Sequence, residues 1–225
     1  MTRRSSLTSL LSAVALLAAG GIGPAIARAP SVDATVTDQS GKPVLDAVVT
    51  LTSLGGPLPA LRPSAAVMDQ VNKEFVPAVL PVMVGAPVSF PNRDNIRHHV
   101  YSFSPAKKFE LPLYIGTPSA PVVFDKPGPV ALGCNIHDSM VAYIYVVTTP
   151  YFAKTDADGR VRLEGVPTGP YEVRVWHPRL RGEAAVRRIT LAEDEDERVT
   201  FSVTLRSEPR PVPRREPYEG QQQSG

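Results

Sequence analysis

The only cysteine, Cys134, shares a short stretch with a histidine and a methionine: Cys134-Asn135-Ile136-His137-Asp138-Ser139-Met140, a C-x2-H-x2-M spacing. Well upstream, His98 sits in the run Asn92-Arg93-Asp94-Asn95-Ile96-Arg97-His98-His99-Val100. Thiolate and thioether sulfurs are soft donors and imidazole nitrogens are borderline ones, so the four side chains together suit both Cu(I) and Cu(II). A thiolate, two imidazoles and a thioether make the donor set of a mononuclear copper site that transfers electrons. One tight loop between two strands can deliver three of these groups. The fourth must come from a separate strand, where His98 lies. His99 is the alternative by a one-residue slip, but a slip turns a strand side chain to the opposite face, so only one of the two can point at the metal. His98 is the favoured ligand. The competing reading is a buried structural cysteine with an incidental histidine and methionine nearby.

The compartment sharpens the question of that cysteine. Arg3 and Arg4, the apolar run Leu7 to Ala19 and the small-x-small site Ala25-Ile26-Ala27 read as a secretory signal spanning 1–27. Export implies a periplasmic location. There a lone thiol is open to oxidation unless it is buried, paired between molecules or bound to something. Removing residues 1–27 takes two arginines and no acids, which leaves 22 basic against 22 acidic side chains. A neutral mature chain carries no electrostatic footprint for nucleic acid. Its apolar runs fall short of the ~18 residues that a membrane span needs, so no span is expected in the mature chain. A G-x-S-x-G elbow, a P-loop and a second cysteine for a binuclear copper site are all absent from the sequence.

The elements that must position the donors are strands. The 24 prolines and 16 glycines argue against helices. Val32, Ala34 and Val36 alternate with polar residues, as do Tyr171, Val173 and Val175, and Val199, Phe201, Val203 and Leu205. This period of two marks half-buried antiparallel strands. Gly41-Lys42-Pro43 reads as a turn, and Asp156-Ala157-Asp158-Gly159 as a hairpin turn ahead of Val161-Arg162-Leu163. Between these flanks lie runs at Val79–Val84, Val88–Phe90, Val100–Phe103, Val122–Phe124 and Val141–Val147, punctuated by Pro and Gly. His177, after a strand, reads as a loop residue, with accessory metal ligation as the outside reading. Glu193 to Glu197 reads as a solvated acidic face. Residues 206–225, rich in Pro, Arg and Gln, read as a disordered tail.

The middle block, 61–148, resembles a cupredoxin of the plastocyanin and amicyanin type. The resemblance rests on Phe75-Val76-Pro77, Gly85-Ala86-Pro87-Val88-Ser89-Phe90-Pro91-Asn92, His98, Phe124-Asp125-Lys126-Pro127-Gly128, Cys134, His137 and Met140. It implies a Greek-key β-sandwich holding one copper ion through His98, Cys134, His137 and Met140. The two-residue gap between His137 and Met140 is the short, amicyanin-like form. His99 departs from the pattern, because plastocyanins usually carry an asparagine there that helps to fasten the cysteine loop.

The flanks, 31–54 with 149–205, resemble a carboxypeptidase-regulatory-like, transthyretin-like β-sandwich. That likeness rests on Asp38-Gln39-Ser40-Gly41-Lys42-Pro43, Ala47-Val48-Val49, Thr155-Asp156-Ala157-Asp158-Gly159 and Gly165-Val166-Pro167-Thr168-Gly169-Pro170-Tyr171. It implies a discontinuous second domain, into which the cupredoxin is inserted, as in proteins filed as bacterial methylamine-utilisation proteins. The fold expected is therefore all-β with two sandwiches. The function expected is single-electron transfer between periplasmic redox partner proteins. Four protein donors leave no open coordination position for a substrate, so an enzyme is not expected. Two other classes fit the same residues: a periplasmic copper carrier or sensor, and an envelope binding module with a vestigial copper site.

Overall fold

The structure is a computed structural model that describes residues 28–57 and 61–207. The expected export signal lies outside the described residues, as does the expected tail from residue 208 onward. The described residues form strands and connecting turns with no helix among them. The chain opens with β1 (Val32–Asp38) and β2 (Val48–Ser53). The middle block begins with β3 (Ala66–Val67), β4 (Asp69–Val71), β5 (Glu74–Val76), β6 (Val79–Met83) and β7 (Ala86–Ser89). It continues with β8 (His98–Ser104), β9 (Lys107–Tyr114), β10 (Val122–Phe124), β11 (Gly128–Gly133) and β12 (Val141–Val147). Last come β13 (Tyr151–Lys154), β14 (Arg160–Leu163), β15 (Gly169–Trp176), β16 (Ala185–Leu191) and β17 (Glu197–Val203).

Two sheets made from the flanks, ordered β14-β1-β17 and β13-β2-β15-β16, enclose one core. The alternation read from the sequence is the reason. Val32, Ala34 and Val36 of β1 and Val199, Phe201 and Val203 of β17 are all buried, while Thr200 and Ser202 between them are exposed. Each fully buried valine or phenylalanine side chain contributes about 1.5–3 kcal/mol. β1 and β17 run parallel, from Val32 opposite Glu197 to Asp38 opposite Val203, and so tie the two ends of the described chain together.

The middle block encloses a second core between the sheets β10-β7-β3 and β6-β12-β11-β8-β9. Met68, Phe90, Phe124 and Ile144 are among its fully buried side chains. The two cores meet through aromatic faces. Trp176 of β15 stacks on Tyr145 of β12, with ring centroids 4.3 Å apart and planes 3° from parallel, and meets Tyr143 edge-on.

Two expectations need correcting. β17, read as an antiparallel strand, pairs among the described strands only with β1 and in parallel, because alternation reports a half-buried face and not a neighbour's direction. Asp156–Gly159 is a turn, closed by the Gly159 N–H to the Asp156 carbonyl, but it is not a β-hairpin. Its flanking strands belong to different sheets, β13 pairing with β2 and β14 with β1. Local alternation does not reveal this, because a corner between facing sheets uses the same turn residues as a hairpin.

Candidate metal centre

The loop 134–140 closes the antiparallel pair β11–β12, whose last rung is Gly133 opposite Val141. The Met140 N–H donates to the His137 carbonyl at 2.9 Å, folding the loop into a turn. Cys134 is 3% exposed and Met140 1% exposed, both within the second core, while His137 is half-buried. The neighbouring strand β8 supplies His98, which is fully buried. The pairing of β8 with β9 slips by one residue between His98 and Val100, an irregularity of the kind that re-aims a side chain.

His98, Cys134 and His137 each bring one donor atom to the same place, and these atoms lie within 4.8 Å of one another. His98 Nδ1 is 4.0 Å from Cys134 Sγ. The two imidazole rings meet edge-on, with centroids 5.1 Å apart. His137 Nδ1 is buried and has no hydrogen-bond partner among the described residues. An imidazole nitrogen withdrawn from water without a partner is costly, and a metal ion is a partner that would satisfy it.

His99 goes elsewhere. It shares the outer face of β8 with Tyr101 and Phe103, 5.4 Å from the Tyr101 ring, and its Nε2 pairs with Glu110 Oε1 at 2.8 Å. His177 lies just after β15, against an open cleft of about 670 Å³ between the two sandwiches, and is not part of the donor cluster. The loop reading of His177 matches its place after the strand.

Several residues around the site went unnoticed in the sequence. Asp94 Oδ2 lies 2.7 Å from His98 Nε2, within hydrogen-bond distance. Burial pushes the Asp94 carboxyl up, but the His98 bond and the N–H groups of Lys73 and Asn72 outweigh this and hold it below the usual carboxylate range. Tyr114 lies opposite His98 on β9; its hydroxyl donates to the Phe90 carbonyl at 2.6 Å and accepts from Gln70 Nε2 at 2.5 Å. Burial, with the nearby Cys134 adding to it, pushes the Tyr114 phenol up to about 12, so it stays neutral. The one available signal was spacing: Asp94 stands four residues before His98, which in a loop marks nothing by itself.

No known protein-family model matches the chain, and no curated protein matches it. Solved structures show partial likenesses. A copper-containing nitrite reductase from Thermus scotoductus SA-01 is 25% identical over 52% of this chain, with a TM-score of 0.36. The match spans only 28% of the reductase chain. A reduced variant of amicyanin is 23% identical over 36% of this chain and 80% of its own, with a TM-score of 0.33. A purple cupredoxin from Nitrosopumilus maritimus is 22% identical over 37% of this chain and 99% of its own, with a TM-score of 0.32. At this level the likenesses add nothing to what the site's own atoms show.

Proposed function

We propose that the chain is a copper-dependent single-electron carrier whose metal is held by His98, Cys134, His137 and Met140. The observation that supports this most is the buried convergence of His98, Cys134 and His137, with donor atoms within 4.8 Å of one another and His137 Nδ1 lacking any other partner. Bound copper would supply a one-electron Cu(I)/Cu(II) couple. The residues supply the rest. Cys134 offers the thiolate, the two imidazoles offer nitrogen, and Met140, buried at the loop's end, offers a soft thioether. The core around them excludes water, so the donors need little rearrangement between oxidation states. His137, half-buried at the loop, is the edge nearest solvent and the natural point of contact for redox partner proteins.

The organisation that goes with this reading is a carrier unit, 61–148, inserted into a second sandwich formed by 31–54 and 149–205. The two separate cores support that division. The proposed setting is the periplasm, reached with the help of the signal at 1–27.

The visible spectrum and voltammogram of copper-loaded protein test the function. An intense thiolate-to-copper band, abolished by Cys134→Ser, together with a reversible one-electron wave, is the expected result. Bound copper with no reversible couple would point to a carrier or sensor. No copper binding at all would point to an envelope module.

A further inference from the structure

We propose that Asp94 is a positioning residue that fixes the protonation and aim of the His98 ring. The inference rests on the copper reading above but concerns Asp94 and the groups that hold it, which this reading does not use. The Asp94 carboxylate is held from three sides. Its Oδ1 accepts from the Asn72 N–H at 2.7 Å, and its Oδ2 accepts from the Lys73 N–H at 2.8 Å and from His98 Nε2 at 2.7 Å. Its own N–H donates to Asn92 Oδ1 at 3.0 Å. Asn92 in turn donates through Nδ2 to the Ile96 and Tyr114 carbonyls at 2.9 and 2.8 Å. The loop before β8 is therefore tied both to the β4–β5 turn and to the end of β9.

The turn is built for this. Asn72 and Lys73 both take left-handed φ values, 55° and 62°, at the centre of the two-residue β4–β5 connection. Side chains other than glycine pay for that conformation, so it persists only where the surroundings over-determine it. Here it aims two successive N–H groups at one carboxylate. An ionised carboxylate only accepts hydrogen bonds. His98 Nε2 must then carry the proton, which leaves the lone pair on Nδ1, the nitrogen 4.0 Å from Cys134 Sγ. Without Asp94 a buried neutral imidazole would be free to put its proton on Nδ1 and lose its donor toward the metal. Carboxylates that orient ligand histidines in this way usually matter 10–100-fold to metal affinity.

Nitrogen-15 NMR of metal-free protein reads the His98 tautomer directly and needs no copper. The expected result is a single Nε2–H form in the wild type and a mixture of tautomers in Asp94→Ala. Titration with Cu(I) should show affinity about 10–100-fold weaker in Asp94→Ala. Asp94→Asn should weaken it similarly, since an amide turns an NH2 group toward at least one of its three donors whichever way it faces. An Nδ1–H wild type, or unchanged tautomer and affinity in the variants, overturns the proposal. If the variants fail to fold, the wild-type tautomer still decides. If wild-type protein binds no copper, the electron-carrier reading fails, while the tautomer measurement still judges Asp94.

Discussion

Tyr101 lies across Gly133, so close that a Cβ on the glycine would stand 2.8 Å from the end of the tyrosine ring. The two residues face each other across β8 and β11, and Gly133 directly precedes Cys134. The ring is flanked by His99 and by the exposed Phe103, with centroids 5.4 and 5.2 Å away. Gly133→Ala should therefore destabilise the protein by about 1–3 kcal/mol, the usual range for overfilling a packed site. In a Tyr101→Ala background the same change should cost much less. Urea unfolding of the four proteins in this cycle checks the coupling; additive effects would show that the contact does not matter.

Met140 tests the fourth donor. It is 1% exposed and ends the loop 134–140. Met140→Leu conserves volume and should cost less than about 1.5 kcal/mol, while removing the thioether. Losing a weak fourth donor costs Cu(II) more than Cu(I), which tolerates three donors, so Met140→Leu should raise the reduction potential; Met140→Gln, which brings a harder oxygen, should lower it. Voltammetry of both variants decides the point, and equal potentials would mean that Met140 does not bind.

The convergence of His98, Cys134 and His137 was legible because its clue is chemical and local: one cysteine with a histidine at loop spacing, and a second histidine on a separate strand. The alternating core strands β1, β15 and β17 were legible for a similar reason, since period two survives wherever one face is buried. What escaped was the edges, together with β11 in the middle of its sheet, where Gly128-Pro129 and the short Val130–Leu132 alternation hide the strand. β9 carries Lys107, Lys108 and Pro112, and β16 carries Arg187 and Arg188; each is the last strand of its sheet. Lysine, arginine and proline protect an edge from pairing with other chains, and they erase the pattern that announces a strand. Losing β9 meant losing Tyr114, opposite His98, and Glu110, which lies opposite Tyr101 and pairs with His99. Asp94 escaped for another reason: the N–H groups that hold it come from a turn far off in sequence.

The stack of Trp176 on Tyr145 predicts how the two sandwiches communicate. Aromatic pairs contribute about 0.5–1.5 kcal/mol beyond the area they bury, and this one bridges strands whose inner faces belong to different cores. Trp176→Ala should separate the unfolding of the two cores, seen as a broadened or split calorimetric transition. A Trp176→Phe protein should stay close to wild type. A sharp, unshifted transition in Trp176→Ala would show that the interface does not depend on this ring.

His177 should give the protein a distinct pH dependence. Burial, reinforced by the Arg179 cation, lowers its pKa from 6.5 to about 4, against smaller opposing effects from Asp46 and the Leu45 carbonyl. Its Nδ1 accepts the Arg179 N–H at 3.2 Å, a bond that needs the neutral ring. Above pH 6.5 the ring is neutral in both folded and unfolded chains and contributes no slope. Between pH 6.5 and 4 the unfolded chain takes up a proton that the folded one refuses, so stability falls as the pH falls, and this effect levels off below about pH 4. The expected loss is about 1–2 kcal/mol, less than the full shift implies because the ring borders an open cleft. His177→Asn keeps an acceptor for Arg179 and cannot titrate, so its stability should be flatter over this window. Carboxylates such as Asp94 and Asp38, whose pKa values are lowered by their hydrogen bonds, lose stability further into acid and do so in both proteins. Urea midpoints of the two proteins from pH 7.5 to 4 isolate the histidine, and parallel curves would reject the assignment.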